Sequence, residues 1–184
     1  MAILPITVLG TPILRQETVP VAAVTDELRR LADDMFETMR AAEGIGLAAP
    51  QVGRTDRLCV VEVEAQALTL FNPEIIAREG KFRWEEGCLS IPDVFGWVER
   101  SQWVKVRALD RNGEPVEVEG ADLLAVCLQH EIDHLHGRLF LDHLSFLKRR
   151  AALGRWEEEK EKYPGLLRII QPRASQSSSA APQL

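Results

Sequence analysis

The chain has 184 residues, of which 46% are hydrophobic and 27% charged, and its net charge is −6. This length predicts one globular domain that buries a core without disulfides or a structural metal. The acidic balance disfavours direct DNA binding, because a protein held by phosphate contacts needs a basic face.

Targeting and redox signals are the next features of the sequence. No apolar run approaches the ~18 residues of a membrane span, and the first residues lack the pattern of a signal peptide. The three cysteines have unrelated spacings, which disfavours a disulfide framework. We therefore predict a cytoplasmic protein with reduced thiols and no membrane contact.

The N-terminal part predicts an arm followed by a helix. Residues 5–22 contain three prolines and little periodicity, so we expect an extended arm over the surface. Thr25 is expected to cap a helix that ends at Gly44. Apolar residues at helical spacing should face the core, namely Leu28, Leu31, Met35 and Met39.

The middle of the chain predicts antiparallel sheet. Four short segments rich in β-branched residues are bounded by turn signals. Asn112-Gly113 predicts a tight hairpin, because this pair accepts the positive φ angles of such a turn. The expected strands are 57–63, 68–71, 104–109 and 116–118.

Two further helices follow. One should run over about 122–136 with Gly137 just beyond its end, and its many apolar residues predict that it is buried. The other should begin near Ser145 and end at Pro164. We expect an α+β fold in which short antiparallel strands surround the central helix, with an N-terminal and a C-terminal helix. The expected catalytic domain spans 1–165, followed by a disordered tail over 166–184.

The central helix carries the HExxH sequence His130-Glu131-Ile132-Asp133-His134. Two imidazoles four residues apart on one helix face can bind the same metal ion, and Glu131 is then placed as a general base. Burying these polar groups without a metal would be costly. Asp133 is a candidate to orient one of the imidazoles.

A catalytic metal needs a third protein ligand, and two directions along the chain offer one. Downstream, Phe140 stands where a metzincin protease would have its third histidine, and the glutamates at 157–159 look solvent-exposed. Upstream, Cys88 lies in a glycine-bent loop and offers a thiolate, which suits zinc or ferrous iron. We therefore prefer Cys88, and we assign Cys59 to an apolar strand.

A glycine-rich segment at 44–53 includes Gln51. Its Gly-x-Gly sequence allows a peptide backbone to approach closely, and Gln51 supplies an amide donor. A phosphate loop is disfavoured because no Lys-Ser/Thr pair follows. Taken with 86–90 and 130–134, the segment resembles the three signature motifs of the peptide deformylases, and the resemblance covers roughly 3–160.

The resemblance implies a reaction and a role for each motif residue. The metal ligands would be Cys88, His130 and His134, with a water in the fourth position that attacks the formyl carbonyl. Glu131 would act as general base and then as general acid. Gln51 and the backbone N–H of Leu89 would stabilise the oxyanion. The implied substrates are formyl-methionyl nascent polypeptides, which release formate during N-terminal methionine processing in protein biosynthesis.

The resemblance also implies a substrate pocket and a support for the site. Trp84 is unusual there, since a smaller aliphatic residue is expected. Glu86 and Arg100 resemble a supporting ion pair, the alternative being two surface charges. The implied substrate-binding residues are Ile45, Gly46, Trp84, Gly87, Leu123, Val126 and Cys127, of which Cys127 is also a candidate for core packing.

Cofactor and partner follow from the same resemblance. It implies one divalent ion, Fe²⁺ as the native metal, with Zn²⁺, Ni²⁺ or Co²⁺ able to occupy the site. It also implies docking on the ribosome near the exit tunnel through a basic C-terminal helix. Here the basic residues at 148–150 and Arg155 are followed by glutamates at 157–159, so the sequence leaves docking open.

Two other functions compete with this one. An HExxH endoprotease or aminopeptidase using a downstream ligand should keep its metal when Cys88 is replaced by alanine. A zinc-stabilised binding module should be unaffected by Glu131→Ala. The presence of Gln51 disfavours the binding module.

Overall fold

The computed structural model describes residues 2–171. Three helices and a set of antiparallel strands form an α+β fold, which confirms the predicted class. No helix in this part of the chain is both long enough and apolar enough to span a membrane. In chain order the elements are β1 (Ile6–Thr7), α1 (Asp26–Ala41), β2 (Gly46–Ala48), β3 (Leu58–Val63), β4 (Gln66–Glu79), β5 (Phe82–Cys88), β6 (Ile91–Arg100), β7 (Trp103–Leu109), β8 (Pro115–Ala121), α2 (Asp122–Leu135), α3 (Phe146–Glu159) and β9 (Leu167–Arg168).

The strands form three antiparallel groups. The largest is a five-stranded sheet in the order β2-β3-β4-β7-β8, and the others are the pairs β5-β6 and β1-β9. The predicted hairpin at Asn112-Gly113 is confirmed between β7 and β8, where Gly113 has a φ of +86°. Asp110 accepts hydrogen bonds from the N–H groups of Asn112 and Glu114 and so stabilises the turn.

Helix α2 lies in the middle of the core. Ten of its fourteen residues are buried, and its apolar side chains pack with those of the five-stranded sheet. The helix ends because Gly137 takes a φ of +66°, where glycine is favoured. A Cβ at Gly137 would also lie 2.7 Å from the backbone of Arg15, so the N-terminal segment crosses the helix end directly.

Helix α1 follows the sequence prediction closely. The side chain of Thr25 accepts a hydrogen bond from the N–H of Leu28 at 3.3 Å, which confirms the N-cap. The predicted apolar residues are all buried. The chain then turns at Gly44, whose N–H donates to the carbonyl of Met39, and enters β2 at the edge of the sheet.

Two predictions for the ends of the chain are wrong. The N-terminal arm is not confined to the surface, since Ile6, Val8 and Leu14 are fully buried. Residues 166–171 do not start a disordered tail, because β9 pairs with β1. The folded part of the chain therefore extends beyond residue 165, whereas the remainder of the predicted tail, 172–184, lies outside the described residues.

The hairpin formed by β5 and β6 was not among the predicted strands. Its sequence carries several charges, and two of them, Glu86 and Arg100, are buried in the structure. Charged residues on the buried face hide the alternation of polar and apolar residues by which a strand is recognised. This hairpin positions Cys88 at the end of β5.

Candidate metal centre

Helix α2 brings two imidazoles to one point. His130 and His134 lie one helical turn apart, and their Nε2 atoms are separated by 3.2 Å. Each residue is 1% exposed. Burial, together with His130, lowers the pKa of His134 well below its usual value. The neutral imidazole that results is the form in which histidine binds metal ions.

Cys88 completes a group of three donors. Its Sγ lies 3.2 Å from Nε2 of His134, and the three donor atoms all lie within 4.8 Å of one another. A tetrahedral ion holds two imidazole nitrogens about 3.3 Å apart and a nitrogen and a thiolate about 3.6 Å apart. The observed spacings are close to these values, so the three residues fit a metal ion. Burial raises the pKa of the Cys88 thiol, so its thiolate requires a cation beside it.

Glu86 supports this group from behind. One of its oxygens lies 2.8 Å from Nδ1 of His130, and Arg100 donates to both oxygens, at 2.6 and 2.9 Å. Burial would raise the pKa of Glu86, but the hydrogen bonds from Arg100 and His130 hold it at about 2. The carboxylate thus accepts the Nδ1–H of His130, which leaves the lone pair of Nε2 facing the other donors. The predicted ion pair is confirmed, and it is buried.

We expect Glu86→Gln to destabilise the fold by about 3–5 kcal/mol, because breaking a buried ion pair leaves one charge uncompensated. Urea denaturation of the metal-free protein measures this. The matched control is Glu99→Gln, which removes an exposed partner of Lys81 and should leave the unfolding midpoint nearly unchanged. If the two variants unfold at the same urea concentration, the buried ion pair does not stabilise the fold as expected.

Glu131 follows His130 on α2, and its carboxylate lies beside Gly46. It is fully buried, and neither carboxylate oxygen has a hydrogen-bond partner among the described residues. Burial first, and the charge of Glu86 second, raise its pKa well above the usual value. A buried carboxyl group without a partner is costly and is typical of a site that acts on a bound molecule.

Gln51 approaches Cys88 from the glycine-rich segment. Its Oε1 accepts a hydrogen bond from the N–H of Ala48 at 2.8 Å, so Nε2 points away, towards Cys88 Sγ at 3.6 Å and Ser90 Oγ at 3.2 Å. Leu89 follows Cys88 directly, and its side chain packs beside Gly44, where a Cβ would approach to 2.7 Å. All three signature segments therefore meet at one buried point. The contact of Ser90 with Gln51 was not predicted, although Ser90 belongs to the second motif.

Five of the seven predicted substrate-binding residues belong to the core cluster around α2 or pack against it. Val126 and Cys127 are fully buried in the core cluster of α2, and the Cys127 thiol lies 3.5 Å from the carbonyl oxygen of Ile45. The Trp84 ring makes an edge contact with that of Phe82, at 5.8 Å between centroids. Ile45, Trp84 and Leu123 are partly buried against the same cluster, and Gly87 is buried beside Cys88.

The alternative downstream ligands lie elsewhere. Phe140 stacks on the ring of His130 at 6.4 Å and contributes no donor atom. Glu157 and Glu159 pair with lysines on the surface. Asp133 contacts an imidazole, but that of His143 at 2.7 Å, so the carboxylate that orients a ligand histidine is Glu86. Among residues 2–171, Cys88, His130 and His134 are the one group of His, Cys, Asp or Glu side chains arranged to hold a metal.

Comparison with known proteins decides the family. The family model for polypeptide deformylase matches residues 3–150. The peptide deformylase of Alkalilimnicola ehrlichii is 55% identical over 154 residues, which cover 82% of this chain and 86% of the relative. A peptide deformylase structure from Legionella pneumophila is 44% identical, with a TM-score of 0.84 over 88% of this chain and 97% of the other. The chain belongs to the polypeptide deformylase family.

A further solved structure carries a bound compound. It is a peptide deformylase from Synechococcus elongatus in complex with actinonin, 43% identical with a TM-score of 0.80, covering 84% of this chain and 86% of that chain. Membership of the deformylase family confirms the predicted enzyme class and its metal dependence. The roles of individual residues stay predictions.

Gly46 lies where any larger residue would collide with its neighbours. A Cβ at Gly46 would lie 2.3 Å from Oε1 of Glu131 and 2.8 Å from Sγ of Cys127. We expect Gly46→Ala to displace the Glu131 carboxylate and to lower kcat by at least about tenfold, since small misplacements of a catalytic group are costly. Metal content should not change. The control is Gly154→Ala, where a Cβ meets no atom within 4 Å, and wild-type kcat in Gly46→Ala would contradict the assignment.

Proposed function

We propose that the protein hydrolyses the N-terminal formyl group of formyl-methionyl peptides at the site formed by Cys88, His130 and His134. The observation that carries the proposal is the buried carboxyl group of Glu131, which has no hydrogen-bond partner within residues 2–171 and lies on the same helix as two of these three donors. Metal donors, a base and an amide donor in one buried space are the components that amide hydrolysis requires.

Glu131 is proposed to move the proton. It takes a proton from the attacking water and delivers it to the nitrogen of the leaving methionine, so that formate and a free amino terminus result. When bound, the divalent ion supplies a Lewis acid that makes the water more acidic and polarises the carbonyl. Gly46 leaves room for the Glu131 carboxyl group, because a Cβ at this position would lie 2.3 Å from its Oε1.

Gln51 and Leu89 are proposed to stabilise the oxyanion. The Gln51 amide is fixed through its oxygen by the N–H of Ala48, so its Nε2 donor is already oriented when substrate binds. The backbone N–H of Leu89 is the second proposed donor. Oriented donors cost no reorganisation as negative charge develops on the carbonyl oxygen, and losing one typically lowers turnover by ~10²–10³.

The methionine side chain is proposed to enter the apolar region beside α2. The thioether of methionine is flexible and fills irregular apolar space well. Trp84 at its edge narrows that region and sets the length of side chain accepted. The proposed lining consists of Ile45, Gly46, Trp84, Gly87, Leu123, Val126 and Cys127.

We propose Fe²⁺ as the native ion. One thiolate and two imidazoles also suit Zn²⁺, Ni²⁺ and Co²⁺, so metal analysis of anaerobically purified protein distinguishes them. Loss of activity on aeration supports iron, because Fe²⁺ is oxidised in air whereas Zn²⁺ and Ni²⁺ are not. Full activity after prolonged aeration would contradict it.

Two further proposals concern where the protein is located and whether it binds the ribosome. We propose a single catalytic domain in the cytoplasm, where Cys59, Cys88 and Cys127 stay reduced. Docking near the ribosomal exit tunnel is proposed for α3, which presents Lys148 and Arg150 beside its acidic end. Cosedimentation with ribosomes at low and high salt tests docking, and no binding at low salt would contradict it.

Formate release from formyl-Met-Ala-Ser tests the function, with acetyl-Met-Ala-Ser as the matched control. We expect rapid release from the formyl peptide and little hydrolysis of the acetyl peptide. Cleavage inside either peptide would instead indicate a protease.

A further inference from the structure

A series of contacting polar side chains extends from the metal centre to the surface. Beyond Glu86, Arg100 extends its third contact away from the centre, and its Nη1 donates to Oδ2 of Asp133 at 2.6 Å. The same oxygen lies 2.7 Å from Nε2 of His143. Because that oxygen is an acceptor, the Nε2–H of His143 donates to it.

Four separate elements contribute side chains to this series. Glu86 lies on β5, Arg100 ends β6, Asp133 belongs to α2, and His143 ends the short 3-10 helix Phe140–His143. Exposure of the side chains rises along it, from 0% for Glu86 and 4% for Arg100 to 16% for Asp133 and 33% for His143. The inner end is therefore buried, and the outer end is partly exposed to solvent.

Arg100 has room to move if its outer partner is lost. It lines a cavity of about 410 Å³, together with Asp133 and His143, on the side away from Glu86. Without Asp133, the Nη1 group would lose its carboxylate and the guanidinium could turn into this cavity. Glu86 would then hold His130 without a fixed partner of its own.

We propose that Asp133 and His143 are positioning residues of the metal centre, which act by fixing Arg100 against Glu86 and thereby the ring of His130. The proposal rests on the metal site proposed above. Its readout is metal affinity rather than formate release, so its failure is distinguishable from a failure of the proposed function. Carboxylates that orient a ligand histidine typically contribute ~10–100-fold to metal affinity.

The test compares Asp133→Asn with wild type, using Co²⁺ as the probe. Metal-free protein is titrated with Co²⁺ against a chelator, and the visible absorption of the loaded protein is recorded. We expect affinity to fall, by less than the ~10–100-fold that loss of the carboxylate in direct contact with His130 would cause, and the Co²⁺ bands to shift, because the His130 ring is held less firmly in one orientation. Wild-type affinity with an unchanged spectrum would overturn the proposal.

The matched control is Asp33→Asn. Asp33 also pairs with an arginine, Arg111, through both carboxylate oxygens, but it lies on α1 and belongs to none of the four elements that carry the charged side chains described above. We expect this variant to leave Co²⁺ affinity unchanged. Equal losses of affinity in the Asp133 and Asp33 variants would show a general structural effect and overturn the proposal.

Substitutions at His143 test the same proposal independently, in case the Asp133 variant does not fold. His143 is the most exposed member, so His143→Ala is expected to fold and to weaken Co²⁺ binding in the same direction by a smaller factor. His143→Gln keeps an N–H donor for Asp133 and should restore affinity towards the wild-type value. If alanine and glutamine at this position both bind Co²⁺ as wild type does, the role of His143 is refuted.

Discussion

Replacing Glu131 with glutamine is expected to lower kcat for deformylation by about 10²–10⁴-fold, the usual contribution of a general acid–base group. Glutamine has nearly the same shape but neither takes up nor delivers the proton. The carboxyl group has no hydrogen-bond partner among the described residues, so its loss removes no observed contact that holds the fold together. Folding and metal content should therefore stay close to wild type.

Steady-state kinetics of formate release, with metal content measured on the same samples, checks this expectation. Glu131→Asp is an informative companion, because it keeps a carboxylate but withdraws it from the space beside Gly46. Its kcat should fall between those of the wild type and the glutamine variant. A glutamine variant with kcat within a few-fold of wild type would exclude Glu131 as the base.

Replacing Cys88 with alanine is expected to abolish both stoichiometric metal binding and formate release. Two imidazoles would remain, which is fewer than the three protein ligands of a catalytic site. The carboxyl group behind the site, Glu86, is already engaged by Arg100 and His130. Metal analysis after dialysis, followed by the formate assay, measures both losses.

The matched control is Cys59→Ala. Cys59 is also a buried free cysteine, but it lies in the apolar core cluster on β3 and is not one of the three donors. This variant should bind one metal ion and release formate, at some cost in stability. Full metal occupancy in Cys88→Ala would require a different third ligand, as in the HExxH proteases.

Much of the site was predictable because its chemistry is carried by short segments. The spacing of His130 and His134 fixes them on one helix face. The loop expected around Cys88 is instead the end of strand β5, where the pairing with β6 is irregular between Glu86 and Cys88. The structure adds that these donors lie within 4.8 Å of one another. Helix α1 was equally predictable, since its cap and apolar stripe are local features.

Features that depend on distant parts of the chain were not predictable. Pairing of β1 with β9 joins residues more than 150 positions apart, and it buries Ile6 where a surface arm was expected. The strand β4 continues past residue 71 through two irregularities in its pairing, and a local pattern contains no sign of this continuation. The contact between Asp133 and His143 was not predicted, because it forms only when the 3-10 helix Phe140–His143 packs back against α2.

The measurement that tests the central claim most directly is formate release from formyl-Met-Ala-Ser before and after metal removal. We expect anaerobically purified protein to release formate, to lose this activity when a chelator strips the metal, and to regain it with Fe²⁺. Release that continues unchanged in the metal-free protein would contradict a metal-dependent site at Cys88, His130 and His134. No release from metal-loaded protein would contradict the proposed substrate and direct attention to the pocket around Trp84.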